Sequence, residues 1–277
     1  MNKLYFEEFQ TRVTADCPYA VFPRENINYI GHIHEEIEVA CLLSGEVTAT
    51  TEVGEIRMQA GDLCLFMPDE IHAFRSLTEN RAYIIRILPK SGLPLNFSRI
   101  RLHRNLLLPG DRGYSAIWEA SLQMAAEDQK KAFGYEIAMK KWMNEILLCI
   151  TRELEYFFLK PEEKKKITSR SHLLRTVNEY IAEHYADPVS LDSIAERCNC
   201  SKYYFAHCVK ELTGMSFLEF LTLYRLDKAT DALRETDRSI TDIAMSEGFN
   251  NLRSFHRMFR KYYRTTPSLY RKTSRTS

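Results

Sequence analysis

The sequence predicts a multidomain protein: an N-terminal all-β domain followed by helices, then a C-terminal all-α domain built on a repeated helical motif. Three observations predict it. Up to about residue 90, apolar and polar residues alternate and glycines punctuate short runs. From residue 115 the apolar spacing becomes that of helices. One pattern then occurs twice, as SLDSIAERCNCSKYYFAHCVKELTG at 190–214 and as SITDIAMSEGFNNLRSFHRMFRKYY at 239–263.

The β part is read from EIEVACLL at 36–43, where Ile37, Val39, Cys41 and Leu43 share one face of a strand. Gly45, Gly54 and Gly61 separate the next strands, and RAYIIRIL at 81–88 makes another, ended by Pro89. In the middle, SAIWEASLQMAAEDQ at 115–129 and GYEIAMKKWMNEILLCITRELEYFFL at 134–159 have helical spacing. In the second, Ile137, Trp142, Ile146, Ile150, Leu154 and Phe157 form a long apolar stripe, which suits packing on the β domain or the seam of a homodimer. KPEEKKKITSRS at 160–171 reads as a charged linker. The expected domains are therefore 1–110 (β), 111–160 (helical dimerisation or packing segment), 161–170 (linker) and 171–277 (helical).

A chain of 277 residues with 45% hydrophobic and 27% charged residues is long enough for two cores and unlike a disordered one. No apolar run reaches the roughly 18 residues of a spanning helix, and MNKLYFEEFQ carries acids where a signal peptide is apolar, so a cytoplasmic protein is expected. The seven cysteines are odd in number and include no C-x-x-C pair, which suits reduced thiols. Cys198, Cys200 and Cys208 cluster, so a zinc site is conceivable, but half-buried helical thiols are the simpler expectation, and Cys64 belongs to a strand core. Net charge is +1, unevenly spread: 22 basic against 24 acidic residues before 171, 16 against 13 after it. From Gly248 onward there are eight basic residues and no acid, as a polyanion partner would require.

Each copy of the repeat begins at a helix cap, Ser190 and Ser239, the second with Asp242 three residues on as an acidic capping box. Each first helix carries an Ile-Ala pair, Ile194-Ala195 and Ile243-Ala244, then breaks at CNCS or GFNN and continues in a second helix, the sequence form of helix-turn-helix. In the second helices, Phe205, Val209 and Leu212, and likewise Phe255, Phe259 and Tyr262, form an inward face. The opposite stripe is Tyr203, Ala206, His207 and Lys210 in copy one, and Arg253, His256, Arg257 and Arg260 in copy two. A basic stripe there points to DNA rather than to a plain solvated surface. Arg253 and Arg257 suit guanine edges; Lys210, Arg260, Lys261 and Arg264 suit phosphates; Tyr203 and His207 are softer readers. The helix expected over 217–236 is about 30 Å long, close to the roughly 34 Å between major-groove segments on one side of B-DNA.

Residues 172–271 resemble the AraC/XylS family of bacterial transcription regulators, through the IA…GF step, Phe255 and Phe259, and the closing Thr266, Pro267, Tyr270 and Arg271. The resemblance implies paired helix-turn-helix units on promoter DNA, most often in an activator that touches RNA polymerase. Arg264 departs from the family, which has glycine at that helix end, so either a strained turn or a different helix end is expected. The N-terminal part is similar to a cupin: His32, His34 and Glu38 in HIHEEIE with Gly45 after them, then Gly61-Asp62, Pro68 and His72. In metal cupins the corresponding side chains converge in a small barrel on Fe, Mn, Zn or Ni. The glycine expected before His32 is absent, with Asn26 in its place.

Three roles fit His32, His34, Glu38 and His72: a divalent metal site, the polar lining of an effector pocket with Arg24, Tyr29 and Phe74 as neighbours, or internal hydrogen bonding. The leading expectation is a regulator with a cupin-like sensing domain over 1–110, controlled by a small-molecule effector, a carbohydrate among the candidates, and acting as a homodimer. The alternatives are a metal-dependent cupin enzyme fused to a DNA-binding domain, and a DNA-binding protein that needs no ligand.

Overall fold

A computed structural model describes residues 13–14, 16–89 and 95–274. The chain divides into two compact units between Ser171 and His172. The first unit holds eleven strands among its described residues: β1 Tyr19–Glu25, β2 Tyr29–His32, β3 Ile37–Ser44, β4 Glu46–Thr51, β5 Gly54–Gln59, β6 Leu63–Phe66, β7 His72–Ser76, β8 Arg81–Ile87, β9 Ile100–Leu102, β10 Leu106–Leu107 and β11 Tyr156–Phe158. They form a five-stranded sheet in the order β1-β8-β3-β6-β10 and a four-stranded sheet in the order β2-β7-β4-β5, with β9 and β11 paired apart. Gly45 makes the β3–β4 turn at φ 81°, and a Cβ there would lie 2.1 Å from the Glu79 carbonyl oxygen, so the turn admits no side chain.

Strand β3 is buried on both sides, which explains its nearly unbroken apolar character. Ile37, Val39 and Cys41 share a core with Leu63, Leu65, Ile85 and two helices, α1 Tyr114–Lys130 and α2 Tyr135–Arg152. Glu38 alternates with them and meets His72 of the other sheet, while Phe66 and Phe74 meet edge-on at 5.7 Å across the same gap. The two sheets thus enclose a second interior, and the polar candidates lie in it.

The helical middle departs from expectation in two places. The helix expected over 134–159 ends at Arg152, and Tyr156–Phe158 returns as β11 against β9. Its buried side is Met139, Met143, Ile146, Leu147 and Ile150, at helical spacing; Trp142 and Leu154 are half-buried against the same core, while Ile137 (77% exposed) and Phe157 face water. The residues expected to form a linker are helical too, opening α3, Pro161–His184. Proline at the first helical position has no N–H to strand, Glu162 and Glu163 favour the positive helix end, and the Glu163 carboxylate accepts the Lys160 N–H at 2.8 Å. The charge-rich string is a helix start.

The second unit continues α3 and adds α4 Leu191–Arg197, α5 Lys202–Thr213, α6 Phe217–Glu235, α7 Ile240–Ser246, α8 Leu252–Tyr263 and α9 Pro267–Ser274. Ser190, Ser201, Ser216, Ser239 and Asn251 cap the N-termini of α4 to α8 through their side chains. The full reciprocal box forms at Ser216–Glu219; Asp242 instead bonds the Ser239 hydroxyl. Phe205, Phe217, Phe255 and Phe259 are fully buried with Ile194 and Ile243. Among the described residues no helix is long and apolar enough to cross a membrane.

Candidate functional site

The two helix-turn-helix units are built alike. Helix α4 ends in a Schellman arrangement: the Cys200 N–H donates to the Ala195 carbonyl at 3.1 Å and Asn199 N–H to Glu196 at 2.9 Å. Helix α7 ends the same way, Phe249 on Ala244 at 3.0 Å and Gly248 on Met245 at 3.2 Å. The left-handed residue between them is Asn199 (φ 50°) in one and Gly248 (φ 85°) in the other. The turns set the second helices. On α5, Phe205, Val209 and Leu212 are buried while Tyr203 (88% exposed), His207 and Lys210 stand in solvent and Ala206 is half-covered. On α8, Phe255, Phe259 and Tyr263 are buried; Arg253, Arg257 and Arg260 are exposed and His256 is half-buried. The third inward aromatic is therefore Tyr263 rather than Tyr262, which is half-buried under the Lys261 ammonium, 4.8 Å from its ring. Tyr263 stacks on Phe259 at 4.8 Å, an overlap its neighbour is turned away from.

In the first unit, His32, His34, Glu38 and His72 converge: each offers one ligand atom, all lie within 4.8 Å of one another, and all four residues are buried. β2 carries His32, the turn after it His34, β3 Glu38 and β7 His72. Each ring is oriented by its Nδ1, which lies 2.9 Å from the Ile30 carbonyl oxygen in His32, 3.1 Å from that of Glu36 in His34 and 2.9 Å from that of Glu70 in His72. An Nδ1–H donated there turns every Nε2 inward, as in metal-bound imidazoles whose other ring nitrogen is held by a carbonyl. Around Glu38, His34 Nε2 lies 3.1 Å from Oε2, His72 Nε2 lies 3.4 Å from Oε1, and Arg86 Nε donates to Oε2 at 3.1 Å. Burial by itself would raise the Glu38 carboxyl, but His72, His34 and Arg86 hold it well below the usual carboxylate range. The group is thus a buried anion in a ring of nitrogens. Phe66 stacks on His72 at 4.1 Å. Arg24 stands at the edge, half-buried, its Nε donating to Tyr29 Oη at 2.6 Å; its guanidinium and that of Arg86 lie 5.0 and 5.5 Å from the Phe22 ring.

Residues 194–273 match the model of a helix-turn-helix domain, and residues 19–93 that of an AraC-like ligand-binding domain. The chain is 35% identical over 103 residues to the regulatory protein SoxS of Salmonella typhimurium, covering 37% of this chain and 96% of SoxS. The chain belongs to the AraC/XylS family. A second similar protein, the transcriptional regulator Rob of the same organism, is 34% identical over 105 residues, 38% of this chain and 36% of Rob, so this chain spans about a third of that relative's length. A crystal structure of unsaturated fatty acid bound ToxT from Vibrio cholerae matches with a TM-score of 0.53 at 12% identity, covering 91% of this chain and 94% of that one, a likeness of fold alone.

Two residues of this AraC/XylS family member stand where a glycine is expected, and both adopt a left-handed backbone. Arg264 caps α8 in the left-handed region at φ 56°, so the strained turn, not a different helix end, is what forms; Gly214 closes α5 in that conformation at φ 75°. Asn26 likewise has φ 52°, supplying a conformation that a glycine would supply. Cys198, Cys200 and Cys208 are free, and among the described residues they form no metal-ligand group. Sequence reasoning missed Arg86, Phe22 and Phe66. The signal for Arg86 was there: it is the polar residue inside the apolar run IIRIL, on the parity that pairs with Glu38.

Proposed function

We propose that this AraC/XylS regulator reads promoter DNA with α5 and α8 as unequal elements and responds to a small oxygen-rich effector held in the barrel. The observation that carries the reading is the stripe Arg253, Arg257, Arg260 on α8, exposed, free of acids, and backed by a buried aromatic face. Arg253 and Arg257 reach base edges; Tyr203 and His207 add weaker readout; Lys210, Arg260, Lys261 and Arg264 hold phosphates, with Ala206 and His256 packed close to the groove. Helix α6 has 19 residues, a span of about 28 Å that suits two neighbouring groove segments. The protein works in the cytoplasm as a homodimer, for which Ile137 and Leu148 on α2 supply exposed apolar surface, and as an activator in contact with RNA polymerase, as is usual in its family.

The barrel cluster is the effector site: Glu38 and the imidazoles to accept and donate hydrogen bonds, Arg24 and Arg86 beside them, and the rings of Tyr29, Phe66 and Phe74 to cover a sugar face. A carbohydrate matches this mixture of aromatic faces and convergent polar atoms. A divalent metal also fits the donor set. His32, His34, Glu38 and His72 would hold it, with Arg86 already on one oxygen of Glu38, and it would supply a Lewis acid for an effector oxygen. The relatives are regulators, and the metal would serve sensing rather than turnover.

The test is capture of genomic fragments by full-length protein at two salt concentrations. A few fragments retained at high salt are expected, with the genes beside them indicating the effector class. Weak binding to all fragments that vanishes with salt overturns sequence-specific regulation by this form of the protein.

A further inference from the structure

The loop between β6 and β7, residues 67–71, faces the buried cluster on one side and helix α3 on the other. Asp69 stands in it at φ 63°, a left-handed conformation uncommon for a residue with a side chain. Its N–H donates to the His34 carbonyl at 2.8 Å, so the segments bearing His34 and His72 are tied through backbone. The Glu70 carbonyl receives His72 Nδ1 at 2.9 Å, and the Glu70 carboxylate accepts the Met67 N–H at 2.6 Å, closing the loop on itself. The positions of His34 and His72 are therefore tied to that of Asp69 and its neighbour Glu70.

The Asp69 carboxylate grips α3 with both oxygens. Lys164 Nζ lies 2.7 Å from Oδ2 and Ser171 Oγ donates to Oδ1 at 2.9 Å. Those two residues are seven apart, two turns on one helix face. Arg170 adds a longer contact to Glu52 at 3.7 Å. In 161–171 the apolar residues are only Pro161, which is exposed, and Ile167, which is half-buried; Ser171 is the buried one. Among the described residues the contacts of this end of α3 are thus chiefly polar, and Asp69 makes two of them. Beyond Ser171 the same helix runs on unbroken, with Leu173, Leu174, Val177 and Ile181 buried.

We propose that Asp69 is the coupling residue of the regulator, a latch through which the state of the His32, His34, Glu38 and His72 cluster sets the hold on α3 and so reaches the DNA-binding unit. The proposal rests on the reading of that cluster as the sensing site. The Asp69–α3 joint is the element that must have two states, held and released, for the cluster to act on the helix.

The test is hydrogen exchange on the full chain, with a substitution at the cluster, Glu38→Gln, as the perturbation in place of an effector. Asp69→Ala is expected to speed exchange over 161–171 by roughly threefold or more while α1 and α2 keep their protection. Glu38→Gln alone is expected to change exchange over 161–184, and to add nothing in the Asp69→Ala background. Unchanged exchange of α3 in Asp69→Ala, no response of α3 to Glu38→Gln, or an equal response with and without Asp69 each overturns the latch. Should Asp69→Ala not fold, Lys164→Met with Ser171→Ala breaks the same joint from the helix side. The readout needs no DNA. Failure of the latch leaves fragment capture by the wild type intact, whereas failure of the regulatory reading appears in that capture.

Discussion

The two helix-turn-helix units share a backbone plan and spend their glycines at opposite ends of it. Copy one puts Asn199 in the left-handed turn between its helices and Gly214 at the end of α5; copy two puts Gly248 in the turn and Arg264 at the end of α8. Surroundings explain the turn. A Cβ on Gly248 would lie 2.7 Å from Arg225 Nε, 2.8 Å from the Tyr185 carbonyl oxygen and 2.9 Å from the Ala186 Cα, so copy two has no room there. Arg225 is fixed in that spot by donating to the Tyr185 and Asp187 carbonyls at 2.6 and 2.8 Å. Asn199 is exposed and has room. The outward faces differ as well. On α5, His207 lies 3.7 Å from Glu211, which tempers the local charge, whereas α8 carries no acid. The backbone is repeated; the charge is concentrated in copy two.

That contrast is sharpest at Gly248. Gly248→Ala meets both a left-handed φ and three close atoms, two of them backbone, and is expected to destabilise the second unit by about 3 kcal/mol. Denaturation followed by helical circular dichroism reads it, while the tryptophans, Trp118 and Trp142, report the first unit separately. A loss under about 1 kcal/mol would mean that Arg225 moves aside freely and that the glycine answers to φ alone. The next effect concerns DNA. Arg257→Ala is expected to weaken binding to a retained promoter fragment by about 2 kcal/mol and to relax preference at one base pair. His207→Ala, at a corresponding turn of copy one, is expected to cost well under half of that. Equal losses in titrations of the two variants would break the asymmetry, and an equal loss of Arg257→Ala on every sequence would make it a phosphate contact.

How much of this was legible beforehand depended on how local each signal is. The repeat, its serine caps and its inward phenylalanines lie within 25-residue windows of fixed spacing, and they stand as read. The cluster of His32, His34, Glu38 and His72 also comes together, but not by parity along one strand: His34 lies in the turn after β2 and Glu38 on β3, so chain reversal between the strands gathers it. Arg86 escaped because its tie to Glu38 is a pairing across 48 residues of sequence. Residues 160–171 read as a charged linker, and their helical start rests on Pro161, Glu162 and Glu163, a first-turn signal that charge density masks. Ile137 belongs to a stripe that suits either packing or a homodimer seam; it is exposed, because apolar spacing does not say which of two adjacent rows faces the core, and Met139 and Met143 hold that row. Tyr262 and Tyr263 pose the same one-residue ambiguity at a helix end.

Arg264 is where the comparison makes its smallest and most discriminating demand. A left-handed arginine costs about 1 kcal/mol against glycine, and copy one shows with Gly214 that the fold accepts glycine at this helix end. Arg264 is exposed, at the end of the helix that bears the basic stripe. If its charge meets a phosphate, strain in the free protein is exchanged for affinity in the complex. Arg264→Gly is then expected to stabilise the second unit by up to about 1 kcal/mol while lowering the slope of log affinity against log salt by about one. Both changes must appear together. Added stability with an unchanged salt slope would leave the arginine as strain without return, and a reduced slope without added stability would show that the left-handed turn costs this residue nothing.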